Sequence, residues 1–436
     1  MKIPEALLRQ ADRLEAYYQE HEPSLAPMVR QCFLSTIETT VKQMDDGSYF
    51  VITGDIPAMW LRDSAAQVSL YTRFAKEDPD LQEIIEGVIL RQAQQVLIDP
   101  YANAFNPDDS DPELGAKDET ERGPYIWERK YEVDSLCAPV YLAYTYWKAT
   151  GRSGFFDETW HSMVERIIET FRLEQDHTRS VYSFQRFDCP PSDTLTNEGK
   201  GEPVGVTGMT WSGFRPSDDC CQYGYLIPSE MMAVCALGKA SEIMKTVYKD
   251  PETAAKAEAL AEEIRSGIDQ YGVYDHPEFG KIYAYEVDGL GHYNLMDDAN
   301  SPSLLAIPYL GYAAADDPMV QRTRNFILSD ENPYYNKGAL AKGMGSPHTP
   351  EGYIWPIGLT MQALTSNDPA EIRELLSMLA GTHAGTNYIH ESFNPDNPEE
   401  YTRPWFAWAN TLFSELLEDL MEQGFFEGTS AQPSGT

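Results

Sequence analysis

Apolar residues recur along this chain at three- and four-residue steps, the period of a helix with one buried face. Residues 25–44 align Met28, Cys32, Phe33, Ile37 and Val41 in one stripe. Residues 79–98 do so with Ile84, Ile85, Val88, Gln92 and Val96, and residues 156–174 with Trp160, Met163, Ile167 and Phe171. The same period predicts helices at 4–20, 60–76, 134–150, 223–247, 251–271, 301–313, 316–329, 353–366, 368–381 and 403–424. Several open on an Asp or Ser cap or a first-turn proline, as in "DPETAAKAEALAEEI" and "DPAEIRELLSMLA". Strand-like alternation is confined to "SYFVITG" (48–54) and "KIYAYEVDG" (281–289).

Helices follow one another as hairpins, with no βαβ rhythm and no low-complexity linker. The expectation is an all-α protein with one continuous core over residues 1–436. A six-hairpin helical toroid fits, and so does an α-solenoid. A solenoid would show a repeat of about 30–45 residues, and none is present. The polar stretch 106–124 reads as an exposed loop, helix 4–20 as an addition packed on the outside, and 428–436 as a frayed tail.

Composition narrows the partners. Of 436 residues, 69 are acidic and 33 basic, for a formal charge of −36. That field repels phosphate-rich partners, so nucleic acid is a poor fit, and so is an anionic membrane surface. The 26 Tyr and 8 Trp are many; such rings can be core, but they also line sites that stack on sugars or other flat ligands. Six cysteines without regular spacing read as free thiols, which suggests a reducing compartment. The start, "MKIPEALLRQADRLEAYYQEHEP", reads as an amphipathic helix rather than a signal peptide, and no apolar run reaches the about 18 residues a membrane span needs. A soluble, cytoplasmic protein is expected.

Six polar, aromatic loops border the apolar helices. "TGDIPAMWLRDSAAQV" (53–68) carries Trp60, Arg62 and Asp63, a set able to grip vicinal hydroxyls, although Asp63 also has the pattern of a helix cap. "WERKYEVDSLC" (127–137) carries Asp134, again cap-like. "SGFRPSDDCCQ" (212–222) sets Asp218 beside Asp219, one carboxylate more than a cap requires, with Arg215 just before. No histidine lies close enough in sequence to support a metal there. "MDDANSPS" (296–303) holds Asn300, "GSPHTPEGYIWP" (345–356) holds His348 and Trp355, and "HESF" (390–393) joins His390 to Glu391. Six such loops point to a carbohydrate cleft. Carboxylates at 218/219 and 391, from distant loops, are then the apparatus of glycoside hydrolysis.

Several stretches, "GDIPAMWLRDSAAQV", "YANAFN", "WERKYEVDSLC", "GMTWSGFRPSDD", "DDANSPSLLAIPYLGY", "GSPHTPEGYIWPI" and "HESF" followed by "WANTLF", resemble glycoside hydrolase family 125, in order, from Cys32 to Glu422. The resemblance implies an (α/α)6 barrel and an exo-acting α-1,6-mannosidase that inverts configuration, needs no metal or other cofactor, and takes a mannose-containing oligosaccharide. It maps the catalytic carboxylates onto the aspartate pair and Glu391, with Asp218 preferred as general acid over Asp219 and Glu391 as general base. Trp60, Arg62, Asp63, Asp134, Arg215, Asn300, His348, Trp355 and His390 are then candidates to hold the terminal sugar. Three electrostatic expectations follow. Burial and the charge of Asp219 raise the Asp218 pKa; Arg215 pairs with Asp219; and His390 supplies a cation near Glu391. The rivals are a sugar epimerase or isomerase using His348, His383 and His390, and a carbohydrate-binding protein without turnover.

Overall fold

The computed structural model describes residues 2–110, 115 and 117–427. The expected tail at 428–436 and part of the 106–124 loop lie outside the described residues. Among them are fourteen helices: α1 Glu5–His21, α2 Ala26–Thr39, α3 Leu61–Ser69, α4 Pro79–Ile98, α5 Val133–Thr150, α6 Glu158–Glu174, α7 Thr196–Gly199, α8 Ile227–Ile243, α9 Pro251–Tyr271, α10 Ile307–Leu310, α11 Pro318–Ile327, α12 Pro356–Leu364, α13 Pro369–Gly381 and α14 Ala407–Glu422. Small two- and three-stranded sheets sit in the loops between them.

Packing resolves the two architectures in favour of the toroid. Helix α3 packs on α5 and α14, α5 on α8, α8 on α10, and α14 on α12. These are the inner helices of an (α/α)6 barrel. Outside them α2 lies on α14, α4 on α5, α9 on α8 and α13 on α12, while α6 bridges α4 and α9. Their apolar faces join in one core containing Phe33, Val88, Leu136, Trp160, Ala233, Leu260, Ile357 and Phe413. Helix α1 packs on α2 and α14, where Gln10 Nε2 donates to both oxygens of Glu418 (2.9 and 2.7 Å) and Tyr18 Oη to the Leu417 carbonyl (2.8 Å).

Helix starts divide by layer. Outer helices α4, α6, α9, α11 and α13 begin with an Asp cap (Asp78, Asp157, Asp250, Asp317, Asp368) whose carboxylate accepts first-turn N–H groups. Inner helices α3, α5, α8, α12 and α14 start from extended residues Trp60, Glu132, Leu226, Trp355 and Phe406, without a side-chain cap bond. Asp63 and Asp134 therefore lie inside first turns and do not cap. Three of these inner starts carry residues of the cleft described below.

Several predicted bounds shift for physical reasons. The helix read over 25–44 ends at Thr39, because Val41–Gln43 pairs antiparallel with Tyr49–Val51. The helix read over 223–247 opens at Ile227, since Tyr225–Leu226 pairs with Glu286–Val287. Only Ile307–Leu310 of 301–313 is helical. There the Asp297 carboxylate takes the Leu304 and Leu305 N–H groups (2.8 and 3.0 Å), and Gly311 at φ 83° stops the turn. All six cysteines are free thiols. No helix among the described residues is long and apolar enough to cross a membrane.

Candidate active site

A cleft of about 370 Å³ opens at the N-terminal end of the inner helices. Thr53, Ile56, Trp60, Arg62 and Asp63 line it from the first loop, and Pro216, Ser217 and Asp218 from the third. Asn300, His348, Trp355 and Glu391 follow, and Arg403, Phe406 and Trp408 close the ring. Five of the six loops singled out by sequence thus meet in one cavity. The remaining loop, 127–137, lies behind and holds the others in place.

The aspartate pair is a turn, not a helix start. Asp218 N donates to the Arg215 carbonyl (2.9 Å) and Arg215 N to the Asp219 carbonyl (2.8 Å). Asp218 adopts φ 69°, a left-handed conformation tolerated by Asp but strained for most residues. The twist separates the two carboxylates. Asp218 lines the cleft, where its Oδ1 accepts from Trp60 Nε1 (3.3 Å) and Asn103 Nδ2 (3.0 Å). Asp219 is 3% exposed, outside the lining, and bonded through Oδ1 to His348 Nδ1 (3.2 Å).

Arg215 does not pair with Asp219 as expected. Its Nε donates to Glu286 Oε1 (2.6 Å), while Glu286 Oε2 takes the N–H groups of Gln222 (3.1 Å) and Tyr223 (3.3 Å). Arg215 therefore anchors the turn to the strand at Glu286–Val287 and stays out of the cleft. Asp134 also stays out: fully buried, it accepts from Arg62 Nη1 (3.0 Å) and Ser229 Oγ (3.2 Å). Arg62 in turn binds Glu132 Oε2 (2.6 Å), approaches Asp63 Oδ2 (3.4 Å) and lies over the Trp408 ring. Its charge is spent on carboxylates, so it presents a backed floor rather than a free fork.

Asp63 faces the cleft with Oδ2 buried and lacking a hydrogen-bond partner. Burial raises its pKa to about 6, against the opposing charge of Arg62. That oxygen has the Arg62 guanidinium as an ion contact at 3.4 Å and keeps capacity to accept from a sugar hydroxyl. Asn300 lines the cleft with Nδ2 tied back to Asp298 Oδ1 (3.0 Å). Trp355 is fixed by Nε1 donating to Thr349 Oγ1 (2.7 Å) and by edge contact with Phe406.

The expected cation at Glu391 is also different. His390 stacks on Tyr401 with ring centroids 3.8 Å apart, its Nε2 meets Thr386 Oγ1 (3.1 Å), and it does not line the cleft. Burial depresses its pKa, so it is neutral and no counter-charge. Arg403, missed in the sequence, takes that place. Its Nη1 lies 3.4 Å from Glu391 Oε1, while Nε (2.9 Å) and Nη2 (2.6 Å) grip Asp55 Oδ1. Its φ of 39° is the local signal of a constrained residue.

Asp218 titrates opposite to expectation. Burial does raise its pKa, but Lys130, Arg62 and His348 outweigh that, helped by a hydrogen bond with Glu132, and hold it near about 2. Lys130 is 1% exposed, and its Nζ donates to the Asp218 carbonyl (2.7 Å) and bonds Asp193. Burial pushes Glu132 well above the usual carboxyl range despite Arg62. Burial disfavours charge on His348, yet the bond to Asp219 and the charges of Asp219, Asp218 and Glu391 lift it to about 9.

A helical toroid whose inner-helix starts enclose aromatic walls and three carboxylates from separate loops fits a glycoside hydrolase. The chain belongs to glycoside hydrolase family 125. Residues 22–418 match the family model described as "Metal-independent alpha-mannosidase (GH125)". A metal-independent α-mannosidase of Streptococcus pneumoniae, solved in a non-productive complex with α-1,6-mannobiose, is 46% identical; the match covers 98% of this chain and 100% of that one, with a TM-score of 0.94. The "Meiotically up-regulated gene 157 protein" of Schizosaccharomyces pombe is 41% identical over 429 residues, covering 93% of this chain and 84% of that protein. A bacterial glucoamylase in complex with acarbose shares the fold at a TM-score of 0.55 and 13% identity, over 85% of this chain and 50% of its own.

Proposed function

We propose that this α-mannosidase removes terminal α-1,6-linked mannose from oligosaccharides by a single inverting displacement, with Asp218 as general acid and Glu391 as general base. The carrying observation is that these two carboxyls, far apart in sequence, both line one cleft, whereas Asp219 is buried beside it. The linkage rests on likeness to the streptococcal enzyme and its α-1,6-mannobiose complex. The whole chain acts as one catalytic unit, with α1 as a buttress on α2 and α14.

The terminal mannose enters between Trp60 and Trp355, and its hydroxyls supply the hydrogens that Asp63 Oδ2 lacks. Asn300 and His348 bound the same space. Asp218 gives a proton to the glycosidic oxygen as the bond to the anomeric carbon breaks. On the opposite face Glu391, held by Arg403, takes a proton from the attacking water. An inverting pair leaves room for that water, with carboxyls about 6.5–9.5 Å apart. An epimerase would need a second histidine in the cleft, and His348 is the one histidine among the lining residues.

Parallel digestion of α-1,6-, α-1,3- and α-1,2-mannobiose tests the reading. Free mannose should come from the α-1,6 isomer well ahead of the others. Equal rates on all three would remove the linkage assignment, and a product other than mannose would remove the hydrolase.

A further inference from the structure

The mechanism needs a proton on Asp218, yet cations crowd that carboxyl. Asp218 faces Lys130, Arg62 and His348, three cations, with Asp63 as the opposing charge. A carboxyl held on the same amide as Asp218 answers the problem. Glu132 is 1% exposed and closes the extended segment before α5. Its Oε2 is taken by Arg62 Nη1 (2.6 Å) and Ser135 Oγ (2.7 Å). Its Oε1 shares Asn103 Nδ2 (3.3 Å) with Asp218 Oδ1 (3.0 Å) and Glu128 Oε1 (3.0 Å). The two carboxyls thus converge on one amide, and carboxylates that share a site do not readily ionise together, which favours one proton held between them. Asp134 adds to the pressure to keep it, and Glu128, the third carboxylate on that amide, is itself paired with Arg186 (2.7 Å).

We propose that Glu132 stores the proton that Asp218 delivers, so that the two carboxyls work as one acid. The inference rests on the reading of Asp218 as general acid. Glu132 acts through Asp218 and touches no sugar, so it is a positioning residue. As the glycosidic oxygen meets Asp218, the proton passes from Glu132 to Asp218 and on to that oxygen. Its lone pair forms the new O–H bond, and the electrons of the broken C–O bond stay with the leaving alcohol. Glu132 is left as a carboxylate, with Arg62 and Ser135 already in place to stabilise it. Glu391 meanwhile gains the water proton. Loss of that proton to solvent and uptake of one by the pair restore the start.

The test compares wild type, Asp218→Asn and Glu132→Gln on two substrates. α-1,6-Mannobiose needs its leaving group protonated, whereas α-mannosyl fluoride releases a stable anion. For Glu132→Gln, kcat on mannobiose should fall about 100-fold or more at neutral pH, within the range for general acids. Turnover of the fluoride should fall no more than about tenfold. The alkaline limb of kcat/KM on mannobiose should move down by about one pH unit or more, since Asp218 alone gives up its proton early. Equal losses on both substrates, or an unmoved limb, overturn the proposal. Should Glu132→Gln fail to fold, Ser135→Ala decides. Removing a donor to the Glu132 anion should raise the limb by about half a unit to one unit, and an unmoved limb overturns the proposal. Asp218→Asn separates the two ideas. If it keeps mannobiose turnover, the general-acid reading falls and the store with it. If it loses mannobiose but keeps the fluoride while Glu132→Gln behaves as wild type, only the store falls.

Discussion

Replacing His348 with Gln removes a charge while leaving a hydrogen-bond donor near Asp219. In the folded protein His348 is lifted to about 9, chiefly by Asp219 against the cost of burial. In the unfolded chain a histidine titrates near about 6.5. The gap is worth about 3 kcal/mol at most. The side chain is 35% exposed, so screening by solvent reduces the net contribution to about 1–2 kcal/mol. Because the folded value is the higher one, this stability is fully present below about pH 6.5 and is lost as pH rises through about 9. Urea unfolding of wild type and His348→Gln at about pH 6 and about pH 10 reads it directly. The stability difference should be about 1–2 kcal/mol larger at the acid pH. A difference that is the same at both, or grows with alkali, would refute the imidazolium–Asp219 pairing.

Three other perturbations follow from the geometry. Arg403→Ala leaves Glu391 unsupported and frees Asp55, so kcat should fall about 100-fold, with partial recovery when guanidine is added; steady-state kinetics with and without guanidine check it. Asp63 ionises near about 6, so the wild-type KM for mannobiose should rise as pH drops below that point, while Asp63→Asn should show a raised KM without this dependence. Arg215→Met breaks a buried ion pair whose partner Glu286 keeps its backbone donors, which should cost about 3 kcal/mol in urea unfolding and lower kcat by loosening the turn that carries Asp218.

The helices were legible because a buried face imposes its period whatever lies around it. The Asp-Pro caps of α4, α9 and α13 are local and were legible too. Inner-helix starts were harder to read, because Trp60, Glu132 and Trp355 begin helices without cap bonds and are set by the cleft. Asp218 and Glu391 stood out as acids in aromatic loops. Which neighbour faces the cavity was not readable, since adjacency in sequence says nothing of which way a strained turn points. That is why Arg215 and Asp134 were assigned to the sugar and belong instead to Glu286 and Arg62. Asn103 and Lys130 serve Asp218 from 115 and 88 residues away, a distance no local pattern crosses. Arg403 was hidden differently: it lies 12 residues from Glu391, and the pairing of Ser392–Asn394 with Asn397–Thr402 is what folds it back onto that carboxylate.

Inversion requires Asp218 and Glu391 to work from opposite faces of one sugar ring. Proton NMR of the mannose released from α-1,6-mannobiose, recorded before mutarotation, tests it most directly. β-Mannose should be the first product. First-formed α-mannose would mean retention, and with it a covalent intermediate that this pairing of acid and base excludes.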